Sequence, residues 1–143
     1  MKYTLDTNLY IAAFRDPIEH ARLARFEFGH APMLHLTSIV AHELRADARV
    51  TKTASRLDRN ILSPFEKRSR IASPSYEGWK MAGQVRAALA IRGRAAITAS
   101  FLNDIMLAVT CRENGFVLVT YNTADFAEIR SVLPRFSFVE PFP

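Results

Sequence analysis

The spacing of apolar positions along the chain switches repeatedly between a period near two and a period near 3.6. Residues 2–5 (Lys-Tyr-Thr-Leu) form a short β-branched and aromatic run that predicts a strand. Leu9, Ile11, Ala12 and Phe14 then fall at helical spacing. Asp16-Pro17 predicts a second helix start, and Ile18, Ala21, Leu23, Ala24, Phe26 and Phe28 carry that helix toward a stop at Gly29. Residues 32–37 read as a second, largely buried strand. Ser38 is placed to cap one long helix over 39–57. The stretch 60–75, with Pro64, Pro74 and several serines, predicts a loop with a short strand around 70–72. Trp79, Met81, Val85 and Leu89 mark a helix ending near Gly93. Ser100 is placed to cap the next, over 101–113, which Asn114-Gly115 closes. Residues 116–120 (Phe-Val-Leu-Val-Thr) are the clearest strand, followed by a short helix over 123–132 and a last strand over 136–139. Strands alternating with helices in this order predict an α/β fold: a central parallel sheet covered on both faces. No repeat, low-complexity tract or linker divides the chain, so a single domain over 1–143 is expected.

Composition narrows the class. A chain of 143 residues that is 49% hydrophobic, with ten Phe, can bury a core without staples. Cys111 is the one cysteine, so no internal disulfide is possible, and its apolar surroundings predict a packed thiol in a reducing compartment. Asp6 interrupts the N-terminus before a signal-peptide core could form, and no apolar run is long enough to cross a bilayer. A soluble cytoplasmic protein with no membrane partner is expected. Charge is unevenly placed: residues 45–70 hold eight Arg and Lys against three Asp and Glu, which equals the whole net excess of +5. Such a segment suits a polyanion such as nucleic acid, or is simply a solvated face.

Four carboxylates stand out by position. Asp6 ends the first strand, where ligands collect in open α/β sheets, although it could equally be a helix cap. Glu43 lies on or beside the apolar face of the helix after the second strand. Asp104 shares a helix side with Phe101, Ile105 and Ala108, and could instead be a first-turn acid favoured by the helix dipole. Asp125 lies beyond the strand 116–120, where Asn122 and Asp125 resemble a capping box. A parallel sheet brings all four toward one edge. Carboxylates held together repel, so such a cluster calls for a cation. An oxygen-only donor set suits Mg²⁺ or Mn²⁺. The four histidines and Cys111 show no zinc spacing, and no phosphate-binding glycine loop or nucleophile elbow is present. Acids with a basic surface point to metal-assisted phosphodiester hydrolysis.

These residues carry a resemblance. Asp6-Thr7-Asn8 after the first strand, Ser38-x-x-x-x-Glu43-Leu44, Asn103-Asp104-x-x-x-Ala108 and Thr120-x-Asn122-x-x-Asp125-Phe126 resemble the four motifs of PIN-domain ribonucleases. Length and motif order are most similar to the VapC toxins of toxin–antitoxin pairs. The resemblance implies a three-layer α/β/α domain and a Mg²⁺- or Mn²⁺-dependent endoribonuclease that cleaves RNA and stops translation. It implies Asp6, Glu43 and Asp104 as catalytic metal ligands. Asn122 stands where some relatives have an acid, so the fourth acidic role goes to Asp125, with Asn8, Thr120 and Asn122 supporting. A homodimer and a VapB-type antitoxin are implied as well.

Arg45, Arg49, Lys52, Arg56 and Arg59 recur at spacings of four and three, a stripe on one face of the expected 39–57 helix. Arg45 lies two residues from Glu43, roughly 200° around such a helix, so a straight helix turns the stripe away from the acids. The stripe is a candidate contact for RNA phosphates distant from the cut. The alternative to a nuclease is a non-catalytic module of the same fold that binds RNA or protein through this stripe. A phosphatase using Asp6 as nucleophile is disfavoured, because the second acid expected two residues on is Asn8.

Overall fold

A computed structural model describes residues 1–94 and 96–142; Ala95 and Pro143, which the single-domain expectation includes, lie outside the described residues. The elements follow in chain order. β1 (Lys2–Leu5) leads into α1 (Thr7–Arg15) and α2 (Pro17–His30), then β2 (Leu34–Thr37). After it come α3 (Ser38–Asp47), α4 (Thr51–Leu57), a π-helical turn (Asp58–Leu62), α5 (Ser63–Lys67) and the two-residue β3 (Ile71–Ala72). The chain finishes with α6 (Tyr76–Ile91), α7 (Ala99–Asn114), β4 (Phe116–Val119), α8 (Thr123–Arg130) and β5 (Ser137–Val139).

Among the described residues these strands form one parallel sheet in the order β3-β2-β1-β4-β5. Strand order reverses at β1. Right-handed crossovers therefore send α1–α5 to one face and α6–α8 to the other, giving the expected three-layer α/β/α arrangement. Side chains alternate accordingly: Leu118 and Phe138 point one way and Val117, Val119 and Val139 the other. Leu5, Leu36 and Leu118 are fully buried, as are Val40, Ile105, Val109, Phe126 and Ile129 on the covering helices. α7 ends as expected at Gly115, whose φ of 68° is the left-handed geometry that glycine adopts without a Cβ penalty.

Three expectations are corrected. The helix expected over 39–57 is broken: α3 stops at Asp47, Ala48 leaves helical geometry (φ −82°, ψ 79°), and α4 starts afresh at Thr51. The Arg45 side chain donates to the Ala48 carbonyl at 3.2 Å and so satisfies a freed helix-end acceptor. The five cations thus sit on two helices, the bend between them and the π turn, not on one straight stripe. The expected 60–75 loop is partly helical, with Pro64 in the first turn of α5, where a missing N–H costs nothing. The caps are Thr37 and Thr98 rather than Ser38 and Ser100: Thr37 Oγ1 accepts from Val40 N and Thr98 Oγ1 from Phe101 N. No helix among the described residues is long and apolar enough to cross a membrane.

Candidate functional site

The reversal of strand order lies between β1 and β4, and at such a switch point the strand ends open a crevice. Asp6 stands at the C-terminal end of β1 and Thr120 at that of β4, tied across the sheet by Asp6 N–H donating to the Val119 carbonyl at 3.0 Å. Asp6 caps a helix and also bonds across to β4. Its Oδ1 caps α1 by accepting from Thr7 N at 2.7 Å, while Oδ2 accepts from Thr120 Oγ1 at 2.6 Å. Thr120 Oγ1 in turn accepts from Asn122 N at 2.9 Å, which fixes the turn that leaves β4.

Glu43 and Asp104 come in from the covering helices. Glu43, half-buried on α3, accepts from Thr7 Oγ1 at 2.9 Å and is thereby linked to the residue after Asp6. Asp104, half-buried in the second turn of α7, accepts from Asn122 Nδ2 at 3.2 Å; the same amide donates to Asp125 Oδ2 at 3.1 Å. Asn122 is thus not the capping-box residue its spacing suggests: its side chain makes no cap bond and bridges two acids. Asn8 is on the first turn of α1, and its buried Oδ1 finds no partner among the described residues.

The acids repel one another. Burial pushes the Asp6 carboxyl up to about 6, with Glu43 adding repulsion and the Thr120 and Thr7 bonds holding it back. Asp104 is pushed up to about 7, first by burial and then by Asp6, Asp125 and Glu43, with Arg94 opposing. All four predicted acids therefore share one electrostatic neighbourhood. They do not close into a cage: among the described residues no three His, Cys, Asp or Glu side chains are gathered to hold a metal ion. Their oxygen-only chemistry and mutual repulsion nevertheless fit a hard divalent cation, which Asp6, Glu43 and Asp104 could hold with Asp125 beside them.

Two residues were missed from sequence. Thr7 lies inside the first motif, and its hydroxyl beside two acids was a usable signal. Arg94 carries none, since only the fold shows that its guanidinium stacks on Phe101 (3.5 Å to the ring centroid), pairs with Glu128 and favours the ionised form of Asp104. The cations Arg45, Arg49, Lys52, Arg56 and Arg59 are all exposed, and none approaches the acids within ion-pairing distance. Cys111 is fully buried as expected, and burial raises its thiol pKa. Replacing Thr120 with Val keeps shape and removes the donor to Asp6. The Asp6 carboxyl, held back by that bond, is expected to titrate higher in the variant than in wild type, and carboxyl titration followed by NMR would check it.

The chain matches the PIN domain family over residues 3–132. It belongs to that family. Solved structures share the PIN fold along nearly the whole chain. A VapBC complex bound to DNA from Salmonella typhimurium is 26% identical, covering 98% of each chain with a TM-score of 0.70. VapBC2 from Rickettsia felis, bound to a promoter DNA fragment, is 23% identical over 98% of each chain, with a TM-score of 0.68. FitAB bound to the IR36 DNA fragment is 19% identical, covers 97% of this chain and 94% of its own, and has a TM-score of 0.74. No curated protein sequence matches the chain significantly.

Proposed function

We propose that this PIN-domain protein is a Mg²⁺- or Mn²⁺-dependent endoribonuclease of the VapC type, which cleaves RNA to inhibit translation. In this reading it acts as a homodimer in the cytoplasm and is neutralised by a VapB-type antitoxin. The observation that carries the reading is the group of four mutually repelling carboxylates at the switch point, with Asp104 pushed up to about 7. A divalent cation bound there would neutralise those charges, polarise a phosphoryl oxygen and acidify an attacking water. Asp6, Glu43 and Asp104 supply the ligand oxygens. Thr120 and Thr7 fix the Asp6 and Glu43 carboxylates by donating hydroxyl protons. Asn122 spaces Asp104 from Asp125 with its two N–H donors. The exposed cations of α3, α4 and the π turn grip RNA phosphates away from the cut.

The test is cleavage of total cellular RNA by purified protein freed of any partner, with Mg²⁺, with Mn²⁺ and with EDTA. Discrete, metal-dependent products that disappear with Asp6→Asn support the nuclease. Well-folded wild type that binds RNA but leaves it intact in every metal condition overturns it. A binding module would then be the better reading, provided that charge reversal at Arg49 and Arg56 abolishes RNA binding.

A further inference from the structure

The turn that leaves β4 carries an aromatic ring with no part in the acid network. Tyr121 lies between Thr120, whose hydroxyl donates to Asp6 Oδ2, and Asn122, whose amide donates to Asp104 and Asp125. Its backbone is fixed on both sides. Thr120 N–H donates to the Val139 carbonyl at 3.1 Å, and Asn122 N–H donates to Thr120 Oγ1 at 2.9 Å. The ring between them is 43% exposed.

The far end of the side chain is fixed as well. The Tyr121 hydroxyl donates to Glu19 Oε2 at 2.5 Å, and the other oxygen of Glu19 accepts from Arg22 at 3.1 Å. Glu19 stands in the first turn of α2, so the ring spans from the end of β4 to the start of α2, along the rim of the acidic crevice. Among the described residues no other aromatic ring and no guanidinium stacks on it. An exposed ring held at both ends has already lost the rotamer freedom that binding would otherwise take from it. Its free face suits a flat apolar surface whose polar edges stay in water, which is the chemistry of an unpaired nucleobase.

We propose that Tyr121 is a specificity-determining platform on which an unpaired RNA base stacks, next to the phosphate held at the acids. The inference rests on the ribonuclease reading for its ligand class. A larger base offers more stacking surface, so a purine is favoured over a pyrimidine at that position. The bond to Glu19 sets the angle of the ring, and the face of the ring does the binding.

The probes are single-stranded RNAs of about twelve nucleotides built from A, C and U, with one 2-aminopurine or one abasic nucleotide at successive positions. They are titrated with the full Asp6→Asn chain, which leaves RNA uncut in the nuclease reading, by anisotropy and by 2-aminopurine fluorescence. At one position the fluorescence is expected to be quenched on binding, and an abasic nucleotide there should cost about tenfold in affinity. Adding Tyr121→Leu should weaken the intact RNA by about tenfold, abolish the quenching and leave the abasic RNA unchanged. Tyr121→Phe keeps the ring and should bind within about threefold of the parent. Tyr76→Leu should change nothing. Tyr76 is 77% exposed, but its neighbour Ser75 bonds Glu113 near the end of α7 that leads into β4, at the opposite edge of the sheet.

Quenching and affinity that survive Tyr121→Leu overturn the proposal, as does an Asp6→Asn chain that binds none of the RNAs. So does an equal loss in Tyr121→Phe, because the hydroxyl tie and not the ring face would then be at work. An equal loss for intact and abasic RNA assigns Tyr121 a structural role and overturns it likewise. Cleavage by wild type is scored separately. Wild type that cuts RNA while Tyr121→Leu binds unchanged removes this inference and leaves the nuclease. Stacking that depends on Tyr121 in a chain that never cuts removes the nuclease and leaves the platform.

Discussion

Replacing Asp104 with Asn is expected to make the metal-free protein more stable at pH 8 and, under the proposed nuclease function, to cut phosphodiester cleavage by on the order of 100-fold or more. Asp104 is half-buried and faces three other acids, so its folded pKa of about 7 lies well above the ordinary value of 3.8. The fold therefore disfavours the ionised form. From pH 3.8 up to about 7 the folded state holds a proton that the unfolded state has lost, so stability falls as pH rises through that window. Above it the penalty is complete; below it the penalty is gone. Asn is the neutral isostere, and its carbonyl can still accept from Asn122. After discounting for the charge shared with Asp6, the gain is on the order of 1–2 kcal/mol, or roughly 3–6 °C in Tm. Melting curves in EDTA at pH 8 and pH 4.5 check the sign: the variant should melt higher at pH 8, and the gap should shrink at pH 4.5. Adding Mg²⁺ at pH 8 should lift wild type more than the variant. A variant that melts below wild type at pH 8 in EDTA would show that repulsion does not dominate at this carboxylate.

Much of this arrangement was legible because it rests on local rules. In open parallel α/β sheets the crevice lies at the C-terminal strand ends, and Asp6 after β1 and Thr120 after β4 both stand there. What failed also failed for local reasons. Leu44 and Ala48 before the bend, and Ala54 and Leu57 after it, are each at helical spacing, and all four are buried in the core. The step of six residues from Ala48 to Ala54 does not fit one helix face, and it is the one mark of the bend that the apolar pattern carries. Pro64 was read as punctuation, yet the first turn of a helix tolerates proline. Each cap slipped by one or two residues because two hydroxyls stood near each helix start, and the one whose backbone stays extended makes the bond.

The site was legible as a set of acids but not as a network. Sequence spacing makes Asn122 a cap for its own helix. In the fold, Asp104 arrives from α7, and a bridge between two carboxylates is worth more to the amide than a backbone bond that solvent can replace. Arg94 shows the complementary limit. Its influence on Asp104 depends on the chain just beyond α6 reaching Phe101 and Glu128, contacts seven and thirty-four positions away, which no periodicity encodes. Composition correctly flagged residues 45–70 as basic, but the bend removes the geometric basis for treating them as a single stripe.

The sharpest test of the network is Asn122→Asp. The substitution removes both N–H donors, to Asp104 and to Asp125, and puts another carboxylate between them. The backbone bond from position 122 to Thr120 is retained, so the turn itself should persist. Hydrogen bonds to charged groups are worth about 1.5–3 kcal/mol each when buried, and these are only half-buried. A loss of about 2–4 kcal/mol in EDTA at pH 8 is expected, or roughly 5–12 °C in Tm. The loss should depend on conditions. An added negative neighbour raises the folded pKa of Asp104 further, so the destabilisation is full above that pKa and fades as pH falls through it. At pH 5 a protonated Asp104 can donate to the new carboxylate, and most of the gap should close. Mg²⁺ or Mn²⁺ should close it at pH 8 as well, with a larger thermal shift than wild type shows, because the cation then neutralises one more charge. If the loss is the same in EDTA and in Mg²⁺, and at both pH values, the amide holds the turn and has no part in spacing the acids. If metal and acid each restore the variant, position 122 sets how strongly this site depends on its cation, and an acid there would favour tighter metal binding at the cost of a less stable metal-free fold.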